Sequence, residues 1–333
     1  MVDDLPPRTV VVIGDCAGDL ASAALLLAER RGFPVVAEPS SSVVGIPAAE
    51  LVLATGWLDR HTPDRVLVVG RPTLSRVVAR LVGAAPADVV ATAGEWPDPA
   101  RRASRVLAAV PSPDGPVAPG WLDSWRAAGD LARKVVDEAL GDELSEPAVA
   151  AEVVAAADGL LVVGSSKPVR DLFLAGGRDG LRVLANRGAA GIDGMVSTAI
   201  GAALAHGGRT LALLGDLTFL HDGNGLVLGP DEPRPDLTIV VVNNDGGAIF
   251  GLLEQGAEEH AETFERVFGT PHGVDLGALC AATGTAYSLA TTRQELRATL
   301  RAGSGLRVVE VRTDRAAAID LDRRLRAAVA AAL

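Results

Sequence analysis

Two short apolar runs, Leu211–Leu214 and Leu237–Val242, constrain this chain more than any other feature. Each is rich in leucine or β-branched residues, too short for a core helix, and closed by a polar turn, so each reads as a strand buried on both faces of a parallel sheet. The turns are Gly215-Asp216 and Asn243-Asn244-Asp245-Gly246-Gly247. In an open parallel sheet, ligands bind beyond the carboxyl ends of the strands, so Asp216 and Asn244 are expected on one edge.

That edge offers a carboxylate, a side-chain amide oxygen and a backbone carbonyl in the glycine-rich turn. Such a set suits a hard cation that prefers oxygen, and Mg²⁺ in particular completes its octahedron with phosphate oxygens and water. The implied ligand is a diphosphate. Thr218, close to the start of the next helix, is a candidate phosphate donor, and that helix's N-terminal amides favour the same negative charge. Taken singly, Gly-Asp is also an ordinary helix cap and Asn-Asp-Gly-Gly an ordinary turn.

Taken together, Gly215-Asp216 followed by Asn243-Asn244 at the end of the next core strand resembles the diphosphate-binding signature of thiamine-diphosphate enzymes, usually GDG followed by NN. Leu217 stands where that signature has its second glycine. With Thr218-Phe219, the Asn244–Phe250 stretch, Asn186–Gly194 and Phe268–His272, this is similar to one branch of the family, the SEPHCHC (2-succinyl-5-enolpyruvyl-6-hydroxy-3-cyclohexene-1-carboxylate) synthases of menaquinone biosynthesis.

The resemblance implies thiamine diphosphate and Mg²⁺ as cofactors, and 2-oxoglutarate and isochorismate as substrates of a decarboxylating carboligase. It assigns Asp216, Asn244 and Gly246 to the metal. Gly215, Leu217, Thr218, Ile249 and Ile192 go to the cofactor, with Ile192 as the wedge beneath its bent form. Substrate contacts fall to Arg76, Ser166, Arg170, Arg187 and Phe250. Guanidinium groups suit this task because they hold a carboxylate in a bidentate, fixed geometry. The activating glutamate of the family belongs to an N-terminal pyrimidine-binding domain. The expectation is therefore that no catalytic side chain lies in this chain, that a second polypeptide supplies the domain, and that the chain alone is nearly inactive. Two alternatives stay open: the large subunit of a different two-component decarboxylase or carboligase, and a non-catalytic remnant. His221 and His272 read as structural, hydrogen-bonded histidines.

Composition narrows the remaining classes. A formal net charge of −11 without a basic run argues against nucleic acid or an anionic membrane as partner. Arginine accounts for most of the 31 basic residues, so an individual arginine carries little information by itself. Cys16 and Cys280 are far apart and belong to no ligand cluster, which suggests neither a disulfide framework nor a zinc site. No apolar run approaches the roughly 20 residues that span a bilayer. The expectation is a soluble, cytoplasmic protein that assembles into an oligomer.

Along the chain, strands are expected at Thr9–Ile13, Val35–Ala37, Arg65–Val69, Asp88–Thr92, Leu160–Val163, Val183–Ala185 and Leu306–Val311, with helices between them. The expected fold class is α/β, two doubly wound parallel-sheet domains. Residues 1–115 form a central domain, 116–142 a linker and bridging helix (Trp121–Leu140), and 143–333 the diphosphate domain. A segment Trp96–Val110 completes the first domain. Gly14–Asp19 after the first strand lacks G-x-G-x-x-G spacing, so a plain βα turn is preferred to a dinucleotide site. A helix is expected near Ile46–Ala54, and Ser145-Glu146-Pro147 marks another start. The acidic stretch Leu252–Phe268 is expected to be a solvated helix or a mobile cover, and Asp275–Thr283 and Thr292–Ala302 are expected helices.

Overall fold

The computed structural model describes residues 5–91, 98 and 101–333. The chain divides into two compact units, one made of Met1–Ala139 with Gly176–Asp179 and Leu325–Leu333, the other of Leu140–Ala175 with Gly180–Arg324.

The first unit holds a five-stranded parallel sheet, order β2-β1-β3-β4-β5, built from β1 (Thr9–Ile13), β2 (Val35–Ala37), β3 (Arg65–Val69), β4 (Ala87–Val90) and β5 (Ala103–Leu107). β1 is buried along its whole length, as its unbroken β-branched sequence requires. The expected strand Asp88–Thr92 is placed at Ala87–Val90; Thr92, and Trp96 of the expected Trp96–Val110 segment, lie outside the described residues. The helix expected near Ile46–Ala54 is shorter, Ala49–Ala54, because Pro47 and a left-handed Ala48 precede it. Gly14–Asp19 forms a turn whose Asp15 bridges Arg71, a structural role.

The second unit carries a six-stranded parallel sheet, order β10-β11-β9-β8-β6-β7. Its strands are β6 (Leu160–Val163), β7 (Arg182–Ala185), β8 (Thr210–Gly215), β9 (Leu237–Asn243), β10 (Ala286–Ala290) and β11 (Arg307–Arg312). β8 and β9 are neighbours in register, Gly215 opposite Val242, so their terminal residues emerge side by side. Apolar side chains on one face of this sheet pack with Met195, Val196, Ala199 and Phe219, and all of these are fully buried. The doubly wound parallel architecture matches the sequence expectation.

Strand order reverses between β6 and β8. The chain leaves β6 for β7 on one side, then crosses back to β8 on the other. The helix after β6, Lys167–Ala175, packs on the helix Glu146–Ala156, whereas the helix after β8, Asp216–His221, packs on the helix Met195–His206. Loops that diverge in this way open a crevice at the strand ends, where doubly wound sheets bind ligands.

One local expectation is corrected, and one strand has no counterpart in the sequence reading. The acidic stretch after Leu252 is not one helix but a series of short turns, with an α-turn at Ala261–Phe264 and a wider turn at Glu265–Gly269. Its apolar residues are too few to bury one continuous helical stripe. β10 was not expected at all; it is a half-exposed edge strand, AYSLA, with little apolar alternation. The helix start expected at Ser145-Glu146-Pro147 is found, Glu146–Ala156, although Ser145 makes no side-chain capping bond and its Oγ is buried without a partner.

Candidate active site at the carboxyl edge of the second sheet

The crevice is a cleft of about 120 Å³. It is lined by the ends of β6 and β8, by the turn after β9, and by Ile192 from the loop before the helix Met195–His206. Asp216, Asn244, Gly246, Gly215, Leu217, Thr218, Ile192, Ile249, Ser166 and Phe250 all line it.

Asp216 is 2% exposed and binds the neighbouring turn together. Its Oδ2 accepts N–H bonds from Gly246 at 2.9 Å and Asn244 at 3.2 Å, while Oδ1 accepts from Leu217 at 2.6 Å. The Leu217 amide is therefore engaged by its own neighbour. Burial pushes the Asp216 carboxyl up, and the amides of Gly246 and Leu217, with His272, only partly oppose this. The carboxylate is short of positive charge.

His272 shows a role that the sequence did not reveal. Its Nδ1 accepts the Val274 N–H at 3.0 Å, so Nε2 carries the proton and donates to Asp216 Oδ2 at 3.3 Å. The backbone N–H of His272 in turn donates to Asp245 at 2.9 Å, which fastens its loop to the turn after β9. His272 is thus structural, as expected, yet it acts on the candidate metal carboxylate. His221 is exposed at the end of its short helix and does not line the cleft.

Asn244 donates from Nδ2 to Glu146 at 2.6 Å, and its Oδ1 is buried with no hydrogen-bond partner. Gly246 has φ 138°, a conformation open to glycine, and among the described residues its carbonyl accepts one backbone N–H outside regular elements, from Ala248 at 3.2 Å. An orphaned amide oxygen, a backbone carbonyl and a charge-starved carboxylate from adjacent strand ends fit a divalent cation with oxygen ligands. Among the described residues no group of three or more His, Cys, Asp or Glu could hold a metal, so any site here has to be of this mixed type.

The cleft is also lined by an ionic cluster that nothing in the local sequence announced. Lys167 Nζ is paired with both Asp171 and, at 3.2 Å, Glu146. One ammonium cannot offset two buried carboxylates. Burial pushes Asp171 up to about 7, with Lys167 opposing and Glu146 adding to the rise, and the two carboxylates hold Lys167 well above the usual lysine range.

The expected substrate residues divide. Ser166 lines the cleft with a left-handed backbone, φ 76°, uncommon for a residue with a side chain. Phe250 does too, with its ring 5.6 Å from that of Phe268. Arg170 bonds back to the Ser166 carbonyl, and buried Arg187 donates to Ser165 Oγ at 3.4 Å; both stand next to the cleft's β6 loop without lining it. Arg76 lies in the first unit, exposed at the start of the helix Arg76–Ala84. Cys16 and Cys280 are free thiols, both pushed up to about 11 chiefly by burial.

A parallel sheet with an oxygen-rich cleft at its switch point defines a class. Residues 175–319 match the family "Thiamine pyrophosphate enzyme, C-terminal TPP binding domain". Along 98% of its length the chain is also similar to proteins named 2-succinyl-5-enolpyruvyl-6-hydroxy-3-cyclohexene-1-carboxylate synthase. That of Saccharopolyspora erythraea is 48% identical over 340 residues and that of Nocardia farcinica 46% over 337. The Thermobifida fusca relative is 47% identical over 344 residues. The chain spans about 60% of the length of these relatives. The family resemblance drawn from the motifs therefore holds across the chain, including the first unit.

Proposed function

We propose that this chain supplies the diphosphate- and metal-binding part of a SEPHCHC synthase, which decarboxylates 2-oxoglutarate and adds the succinyl unit to isochorismate in menaquinone biosynthesis. The observation that carries this reading is the buried, unpartnered Oδ1 of Asn244 beside the charge-starved Asp216. Asp216, Asn244 and the Gly246 carbonyl would hold Mg²⁺, and Thr218 and Gly215 would face the diphosphate. When bound, thiamine diphosphate supplies the electron sink for decarboxylation and carbon–carbon bond formation.

The residues of this chain bind and orient. Asp216 gathers the turn after β9 around the metal position, and His272 holds Asp216 in place. Ile192 and Ile249 give the cleft its apolar walls and keep water from its inner end. Ser166, Arg170 and Arg187 would receive substrate carboxylates and hydroxyls at the β6 end. Activation of the aminopyrimidine requires a carboxylate from a pyrimidine-binding domain, and the working enzyme is an oligomer.

Two measurements test this. Calorimetric titration with thiamine diphosphate and Mg²⁺ should show binding by the chain that Asp216→Ala removes. Mixing the chain with a pyrimidine-binding domain of a relative should give 2-oxoglutarate consumption dependent on isochorismate. Robust turnover by the chain alone, or cofactor affinity indifferent to Asp216→Ala, refutes the reading.

A further inference from the structure

Glu146 comes from a helix that follows none of the strand ends forming the cleft, yet it reaches the candidate metal ligand. Its side chain is 1% exposed. Oε1 accepts two donors, Asn244 Nδ2 at 2.6 Å and Thr313 Oγ1 at 3.2 Å. Oε2 lies 3.2 Å from Lys167 Nζ but is not aligned for a hydrogen bond. Lys167 is held in turn by Asp171.

The chemistry of this contact is one-sided. An asparagine side chain can turn over, exchanging a two-donor NH₂ for an acceptor oxygen of nearly the same size. A carboxylate only accepts. With Glu146 at 2.6 Å, the NH₂ of Asn244 has to face it, since the reverse orientation would press oxygen against anionic oxygen. The amide oxygen is then left on the other side, buried and without a protein partner. Thr313 and Lys167 fix the carboxylate that makes the choice.

We propose that Glu146 is a positioning residue for the divalent metal: by accepting the Asn244 NH₂, it commits the amide oxygen to the metal position and prevents the amide from turning over. This rests on the metal reading of Asp216 and Asn244. It extends the ligand set to a buried Glu146–Lys167–Asp171 relay outside the diphosphate motif.

The test uses the full chain with thiamine diphosphate, Mn²⁺ as probe, and the electron paramagnetic resonance signal of free Mn²⁺ as readout. Glu146→Gln keeps the shape but can satisfy either face of Asn244. It is expected to weaken Mn²⁺ binding about 10–100-fold, the usual cost of losing a group that orients a metal ligand. Asn244→Asp has no NH₂ to misplace. In that background, Glu146→Gln is expected to cost at most about threefold, because the glutamine NH₂ can donate to the new carboxylate.

An equal loss in both backgrounds would show that Glu146 acts only through charge or packing, and would overturn the proposal. Should Glu146→Gln alone fail to fold, the comparison of Asn244→Asp with the double variant decides: binding within about threefold supports the proposal, and a drop of about tenfold or more overturns it. Unchanged Mn²⁺ binding by folded Glu146→Gln overturns this inference alone. Absence of Mn²⁺ binding by the unmodified chain overturns the metal reading and this inference together.

Discussion

Gly246→Ala tests the architecture of the site without relying on any ligand. A Cβ at position 246 would sit 2.0 Å from the Gly269 carbonyl oxygen and 2.4 Å from Arg315 Nη1. That carbonyl is itself engaged, accepting from Gly247 N at 2.8 Å and Arg315 Nη1 at 3.0 Å. The variant must hold alanine at φ near 138° or move the turn. The strain costs about 1–3 kcal/mol. Disrupting the neutral and the charge-assisted bond at Gly269 adds about 2–4 kcal/mol. A net loss of about 3–7 kcal/mol follows, and at about 2–4 °C per kcal/mol for a folding unit of this size the melting temperature should drop by roughly 6–28 °C. Thermal unfolding by circular dichroism measures it, with Gly215→Ala as control. Gly215 has φ −82°, and its added Cβ would meet nothing nearer than Pro168 Cγ at 3.9 Å. The control should lose less than about 1 kcal/mol. A Gly246→Ala protein that melts within about 2 °C of the parent, or equal damage from both variants, would refute the argument.

Asp171 gives a pH signature. Its folded-state carboxyl is pushed up to about 7, whereas unfolded chains release this proton near pH ~4. Its contribution to stability is therefore full below about pH 4 and is lost as pH rises toward 7. Urea unfolding should show the parent losing stability relative to Asp171→Asn over that window, then running parallel above it; a constant difference from pH 4 to 7 would contradict this. Phe219 is fully buried against the helix Met195–His206 and the strands behind it, so Phe219→Ala should cost about 3–5 kcal/mol in denaturant unfolding. A cost under about 1 kcal/mol would mean that the short helix carrying Asp216 is not anchored there. In the reconstituted assay, Arg187→Lys should lower kcat/KM for 2-oxoglutarate at least about tenfold while thiamine diphosphate affinity holds, because lysine cannot reproduce a bidentate carboxylate contact. Unchanged kcat/KM would remove Arg187 from the substrate role.

The strands of the site were legible because continuous β-branched runs have few alternatives to a buried parallel strand, and because such strands deliver their polar turns to one edge. β8 and β9 lie where Leu211–Leu214 and Leu237–Val242 placed them, with Asp216 Oδ2 3.2 Å from the Asn244 amide. Edge strand β10 and the turns after Leu252 were not legible. Both are half-solvated, and their conformation comes from packing rather than from an apolar period.

Sequence alone determined the class of sheet, the edge that carries the site, and the motif that names its family, since these depend on order and short-range periodicity. Only the tertiary structure decided which way Asn244 turns, that His272 braces Asp216, and that Glu146 and Lys167 line the same cleft. Glu146 and Asn244 are 98 positions apart, and His272 and Asp216 are 56. Hydrogen bonds act over about 3 Å, so contacts between such distant positions exist only once the strands and helices have packed.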